Sequence, residues 1–184
     1  MLNYMLELPF GPGHTHLTHG FGARVLGGWE LNGISTFQSG RPFDMFSSRD
    51  SEHTALSSRP DLVGNPSIPA GSPKTQTGPP VSAFAPAPYG FPGSVGRNTF
   101  TGPTYYNTDV DLVKRFAITE RINLQFRAEF YNIFNQLQLE QPGTGSSGNV
   151  IEDPGTFGQS LSELTRADGT TAARQIQLAL KLVF

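Results

Sequence analysis

The last eleven residues of the chain constrain its fold more than any other stretch. From position 174 to position 184 the sequence reads RQIQLALKLVF, and every second residue back from the end is apolar. The residues between them are mostly polar or small. A period of two sends alternate side chains to opposite faces of a β-strand. The pattern therefore predicts a terminal strand with one apolar face and one polar face.

The aromatic residue at the end of this strand narrows the choice of fold further. The termini of soluble chains usually fray into water. The last strand of a membrane barrel must instead be paired, because the closed wall leaves no open edge. An apolar strand that ends on Phe184 therefore favours a strand of a membrane barrel.

The composition agrees with a wall that separates lipid from water. Charged residues make up 15% of the chain, against about 25% in soluble domains. The net charge of −2 gives no electrostatic basis for binding nucleic acid. There is no apolar run of about eighteen residues for a membrane helix, and the absence of Cys excludes disulfides and thiolate metal sites. Residues 1–10 do not read as a signal peptide, so we expect the chain to be the C-terminal part of something longer.

Alternation predicts five extended segments, and two long polar segments separate them. The strands are predicted at about 1–10, 26–46, 106–118, 122–136 and 172–184, with long loops at about 47–104 and 137–171. The loops are rich in Pro, Gly and Ser, and structureless connections of that length are uncommon in compact soluble domains. Membrane barrels have long extracellular loops and short periplasmic turns. We therefore predict an all-β fold, in which about five long antiparallel strands form an open, curved segment of a transmembrane β-barrel.

The two faces of these strands predict which side chains meet lipid and which line the lumen. The predicted lipid-facing residues are Leu124, Phe126, Phe130, Leu178, Leu180 and Leu182. The predicted lumen-facing polar residues are Asp109, Asp111, Arg115, Arg127 and Glu129. Lys114 is the misfit on the apolar side, and we expect its stem to lie along lipid while its ammonium reaches water. Trp29, near the start of its strand, is typical of an interfacial aromatic girdle.

Two groups of residues raise the question of a chemical site. Asp109 and Asp111 could hold a cation or act as paired carboxylates, but pairing with Arg127 or Arg115 across strands is the favoured interpretation. The histidines of the pattern H-x-H-x-x-H lie at positions 14, 16 and 19, in a Gly-rich link without an acidic neighbour in sequence. Metal-bound His normally needs such support, so an exposed turn is favoured over a metal-dependent hydrolase. We expect no metal, no cofactor and no catalysis.

Three blocks of sequence resemble a known family. They read GGWELNGISTFQSGRPF, GRNTFTGPTYYNTDVDLVKRF and LQFRAEFYNIFNQ, and they precede the terminal strand that ends in Phe. Together they resemble the C-terminal end of TonB-dependent outer-membrane receptors, in the Oar-like group that carries a carboxypeptidase-regulatory-like domain. The resemblance implies an outer-membrane barrel of about twenty-two strands, closed by a plug domain and energised through TonB.

The resemblance also implies partners and a role. It implies solute uptake across the outer membrane of a Gram-negative cell, with the two long loops facing the solute. The implied partners are outer-membrane lipid, the rest of the barrel and its plug, the TonB system and the barrel-assembly machinery. Phe184, Leu182, Leu180 and Leu178 are similar to the signal that this machinery reads. We expect the chain to supply only the last five strands, as a truncated product that does not transport solute alone.

A soluble all-β module that binds carbohydrate or another ligand is the alternative. It predicts that both faces of at least some strands are covered by protein, and that the chain stays soluble without detergent.

Overall fold

The computed structural model describes residues 1–11, 13–54, 56–119, 122–144, 148–165, 169 and 172–184. Its elements are β1 (Leu2–Glu7), α1 (Gly20–Leu26), β2 (Trp29–Gln38), β3 (Pro42–Phe43), β4 (Pro60–Leu62), β5 (Phe84–Pro86), β6 (Phe100–Thr101), β7 (Tyr105–Ala117), β8 (Asn123–Tyr131) and β9 (Gln175–Val183), with a 3-10 helix at Val81–Ala83. Among the described residues, no helix combines the length and apolarity needed to cross a membrane.

The chain divides into two compact units. The first, here called the strand unit, consists of Met1–Phe37, Tyr106–Gln136 and Ala173–Phe184. The second, the loop unit, consists of Gln38–Tyr105 and Leu137–Ala172. The loop unit therefore contains most of the two segments that the sequence predicts as long loops.

The strand unit is built on one antiparallel sheet of five strands in the order β1-β2-β7-β8-β9. Strands β1 and β9 form its two edges, so the sheet is open. This confirms the predicted fold class of an all-β chain with an open sheet of five strands.

The register of β7, β8 and β9 sorts their side chains onto two faces. Phe126 lies opposite Lys114 on one side and Leu180 on the other, and directly opposed residues point to the same face of a sheet. The apolar face carries Val110, Leu112, Lys114, Phe116, Leu124, Phe126, Ala128, Phe130, Ile176, Leu178, Leu180 and Leu182. The polar face carries Asp111, Val113, Arg115, Gln125, Arg127, Glu129, Gln177, Ala179 and Lys181. The alternation read from the sequence thus continues across three neighbouring strands.

The segment predicted as one strand over residues 26–46 differs in the structure. Residues 20–26 form the helix α1, the sheet strand ends at Gln38, and Pro42–Phe43 pairs with Phe100–Thr101 in a separate two-stranded sheet. α1 has only seven residues, and two of them are glycines. Such a segment is too short and too glycine-rich to be helical alone, so its helicity depends on tertiary contacts.

The loop unit has an apolar core of its own. Its buried members are Phe43, Met45, Ala83, Phe84, Val95, Ile151 and Phe157. The ring of Phe84 meets the rings of Phe100 and Phe157 edge to face, at centroid distances of 5.6 and 5.4 Å. The long segments are irregular apart from short ladders, as predicted. The sequence did not reveal that both contribute to one core.

Candidate functional site

The polar face carries a charge ladder centred on Arg127. Its guanidinium lies 3.4 Å from a carboxylate oxygen of Asp111 and 3.4 Å from one of Glu129. Asp111 and Glu129 are directly opposed, and like charges in that position repel each other. Arg127 offsets this repulsion. The predicted pairing of Asp111 with Arg127 is confirmed.

A second ion pair joins β7 to β2. Arg115 lies 2.9 Å from a carboxylate oxygen of Glu30, whose side chain is almost fully buried. The sequence singled out Arg115 but not Glu30. The signal was present, because Glu30 falls on the polar side of the β2 alternation, but alternation alone does not show which strands are neighbours.

Asp109 has a different role from the predicted pairing with an arginine. Its Oδ1 atom accepts hydrogen bonds from the side-chain amide of Asn107 at 2.9 Å and the backbone N–H of Asn132 at 2.8 Å. Asn132 has a left-handed φ of 50° and follows directly after β8. Asp109 therefore holds the chain where β8 ends.

The expectation for Lys114 is wrong. Its side chain is 1% exposed, and its ammonium does not reach water. It donates hydrogen bonds to the carbonyl oxygens of Arg24 and Val25 at 2.9 Å each, and to that of Gly27. These carbonyls lie at the C-terminal end of α1, where helix carbonyls lack partners within the helix and where a cation is favoured by the helix dipole. The α1 helix was absent from the sequence prediction, so its carbonyls could not be foreseen as acceptors.

The loop unit contains a cavity of about 370 Å³. Its walls are formed by Gln38, Ser39, Gly40, Arg41, Pro103, Tyr105, Leu139, Glu140, Gln141, Thr144, Leu164 and Thr165. The volume lies in the range of small-molecule sites, about 300–1,000 Å³. Residues from both segments of the loop unit line the cavity, and two of them, Arg41 and Glu140, carry opposite charges. The sequence had assigned the loops to the solute side without locating a cavity.

Glu152 links the two long segments within the loop unit. Its carboxylate accepts a hydrogen bond from the Ser47 hydroxyl at 2.6 Å and from the Ser48 backbone N–H at 2.8 Å. Partial burial alone would raise the pKa of Glu152, but the hydrogen bonds from Ser47 and Ser48 outweigh it and hold the pKa below its usual value. The ionised carboxylate of Glu152 therefore accepts the hydrogen bonds that join the two segments of the loop unit.

The three histidines of the H-x-H-x-x-H pattern are all exposed. Within the part of the chain that the structure describes, no three His, Cys, Asp or Glu side chains converge as metal ligands. The geometry gives the hydrolase hypothesis no support.

A comparison with known protein families decides the class of the molecule. The sequence matches the outer membrane beta barrel domain family over residues 1–177. The chain belongs to this family. Its place is the outer membrane, and the match favours the barrel over the soluble ligand-binding module. No curated protein and no solved structure matches the chain.

The edge strand of this outer membrane beta barrel domain presents large apolar side chains to its surroundings. Leu178 is 67% exposed and Leu180 is 68% exposed. Leu182 and the terminal Phe184 are also exposed. A continuous apolar surface of this kind marks contact with a membrane or another protein.

Proposed function

We propose that this outer membrane beta barrel domain forms part of the wall of a TonB-dependent receptor that takes up a solute. The observation that carries the proposal is the loop unit, whose two segments, Gln38–Tyr105 and Leu137–Ala172, share a core and line one cavity. Long loops on one side of the membrane are typical of outer-membrane barrels. The sequence blocks that resemble TonB-dependent receptors support the same assignment.

The two faces of the sheet then have separate partners. The apolar face lies against outer-membrane lipid, and the polar face, with the Arg127 ladder, lines the water-filled interior. Alternation of this kind is the rule in transmembrane barrels, since lipid-facing and lumen-facing residues follow each other along every strand. The ion pair of the buried Glu30 with the exposed Arg115 continues the polar lining toward β2.

A closed wall needs more strands than this sheet contains. Barrels of about eight strands are the smallest with a filled interior, whereas the sheet has five strands and two edges. We propose that the remaining wall, the plug domain and TonB complete the working receptor. We also propose that Leu178, Leu180, Leu182 and Phe184 are read by the barrel-assembly machinery.

The cavity suggests the chemistry of the solute. Arg41, Glu140 and Gln141 offer charges of both signs and an amide, which suits a polar solute with several hydrogen-bonding groups. In this proposal the loop unit captures the solute on the outer side of the membrane.

Uptake from a defined mixture of polar solutes tests the proposal. Cells of the source organism would be grown in this mixture, and the loss of each solute from the medium would be measured. Wild-type cells, cells lacking the gene and cells lacking TonB would be compared. We expect one class of solute to persist in both deletion strains. Arg41→Ala should slow its depletion, whereas Arg97→Ala, an exposed arginine of the loop unit outside the cavity lining, should not. Equal depletion by all strains would refute a role in TonB-dependent uptake.

A further inference from the structure

The helix α1 exposes its large apolar residues and buries its smallest side chain. Ala23 is its buried residue. Phe21 and Val25 lie two positions before and after it, which at about 100° per residue places both on the opposite side of the helix. Phe21 is 83% exposed, and Val25 and Leu26 are also exposed. A helix on the surface of a soluble protein has the reverse arrangement, with its apolar side toward the core.

The C-terminal end of α1 rests against the apolar face of the sheet. Lys114 belongs to that face, because it lies opposite Phe126. Its ammonium binds the carbonyl oxygens of the last turn of α1. The indole N–H of Trp29 adds a hydrogen bond of 2.9 Å to the carbonyl oxygen of Val25. The helix therefore lies on the side of the sheet with the leucines of β9, and not on the side with the charge ladder.

The backbone after α1 is shaped for this close approach. Gly28 has a left-handed φ of 69°, and a Cβ atom there would lie 2.8 Å from the carbonyl oxygen of Arg115 in β7. A side chain at this position would push the helix end away from the strand. Glycine at position 28 thus lets the end of α1 approach β7 closely enough for Lys114 to bind the carbonyl oxygens of the helix.

The contacts of Lys114 allow a cation to sit beside hydrocarbon. Its ammonium is hydrogen-bonded to three carbonyl oxygens and lies 5.3 and 4.9 Å from the ring centroids of Trp29 and Phe116. An unpaired charge beside hydrocarbon would cost much free energy. The charge-assisted hydrogen bonds and the faces of the two aromatic rings offset this cost. Trp combined with a basic side chain is typical of the lipid–water boundary.

We propose that the outward side of α1 is a membrane-interface anchor that inserts among the phospholipids of the outer membrane. The helix patch consists of Phe21 and Val25 on this side, the exposed Leu26 at the helix end, and the exposed Leu17, which precedes the helix. Trp29 and the buried Lys114 hold the end of α1 against the apolar face of the sheet, so the same lipid layer covers the patch and that face. Arg24 is exposed in the last turn and can reach the phosphate groups. The inference rests on the lipid-facing assignment of the apolar face, and is independent of solute uptake.

The absence of Cys from the chain provides a direct test. Single substitutions Phe21→Cys, Leu180→Cys and Gln177→Cys would each carry an NBD fluorophore. The labelled full chains would be refolded into vesicles of phosphatidylethanolamine and phosphatidylglycerol. Quenching would be measured with nitroxides near the headgroup, with nitroxides near the bilayer centre, and with a quencher confined to water.

The three labels have different expected responses. The label at position 21 should show blue-shifted emission and strongest quenching by the shallow nitroxide. The label at position 180 should respond most to the deep nitroxide, and that at position 177 to the aqueous quencher. A label at position 21 that responds like the one at position 177 overturns the anchor. If the label at position 180 then still reports lipid, the wall assignment survives without the anchor; if it reports water, both fail.

A protein partner is the competing occupant of the helix patch. In that case the label at position 21 would stay accessible to the aqueous quencher in vesicles that contain only this chain, which also overturns the proposal. All three positions are on the surface, with Phe21 and Leu180 far more exposed than buried, so the substitutions leave the packing of the strand unit unchanged.

Discussion

Leu180→Arg, compared with Gln177→Arg, tests which face of the sheet meets hydrocarbon. Leu180 lies in the middle of β9, is opposed by Phe126 on the apolar face, and is 68% exposed. An arginine facing lipid near the midplane of a barrel costs about 2–4 kcal/mol. That cost lowers the ratio of folded to unfolded protein by roughly 30-fold to 1,000-fold, since about 1.4 kcal/mol corresponds to a factor of ten.

Gln177→Arg is the matched control. Residue 177 lies on the polar face and is directly opposed by Glu129, so an arginine there gains a partner and should cost less than about 1 kcal/mol. Unfolding of the chain in vesicles by urea, followed by the fluorescence of Trp29, the single tryptophan, gives both free energies. Equal stability of the two variants would refute the facing assignment, and greater stability of Leu180→Arg would reverse it.

Three further predictions concern other parts of the molecule. Lys114→Met leaves carbonyl oxygens at the end of α1 unpaired, at about 1–3 kcal/mol each, so amide exchange in α1 should accelerate, whereas Lys181→Met on the polar face should leave it unchanged. Phe84→Ala empties the core of the loop unit and should cost about 3–5 kcal/mol, measured as faster exchange there while the strand unit keeps its protection; equal effects in both units would contradict separate cores. The folded-state pKa of Glu152 lies below the usual value of 4.5, so its stabilisation is complete above that value and is lost as the pH falls through the folded-state pKa. Thermal unfolding across this range should therefore depend less on pH in Glu152→Gln than in the natural chain, and an unchanged pH dependence would count against the bonds from Ser47.

The strands of the sheet were predictable because their signal is local. In β8 and β9, alternation alone assigns each residue to a face, and the register of Phe126 with Leu180 agrees with it. Likewise, alternation places Asp111 on the polar face of β7 and Arg127 on the polar face of β8. Predicting their contact then required only the correct pairing of these two strands. The order of strands along the chain supplied that pairing for β7, β8 and β9.

The features that the sequence did not reveal depend on contacts between distant residues. Lys114 looks like a misfit on an apolar strand, and its acceptors lie about ninety positions earlier in the chain. Residues 20–26 have weak helix propensity because of their glycines. The sequence of this segment therefore does not predict α1, and the contact of its C-terminal end with Lys114 is seen only in the structure. The core of the loop unit combines apolar residues from two segments. In neither segment do the apolar residues repeat at the spacing of a helix or a strand, so the sequence does not predict this core.

The two units gain stability from different surroundings. In the strand unit, the apolar side chains of β9 remain exposed within the described part of the chain, and in the proposed function lipid covers them. At about 25 cal/mol per Å² of apolar surface, that burial is a large share of the stability that a small domain has. The loop unit already buries Phe43, Met45 and Phe157 in its own core. It follows that, with the apolar face against lipid as proposed, the strand unit gains much of its stability from hydrocarbon, whereas the loop unit buries apolar side chains within its own core.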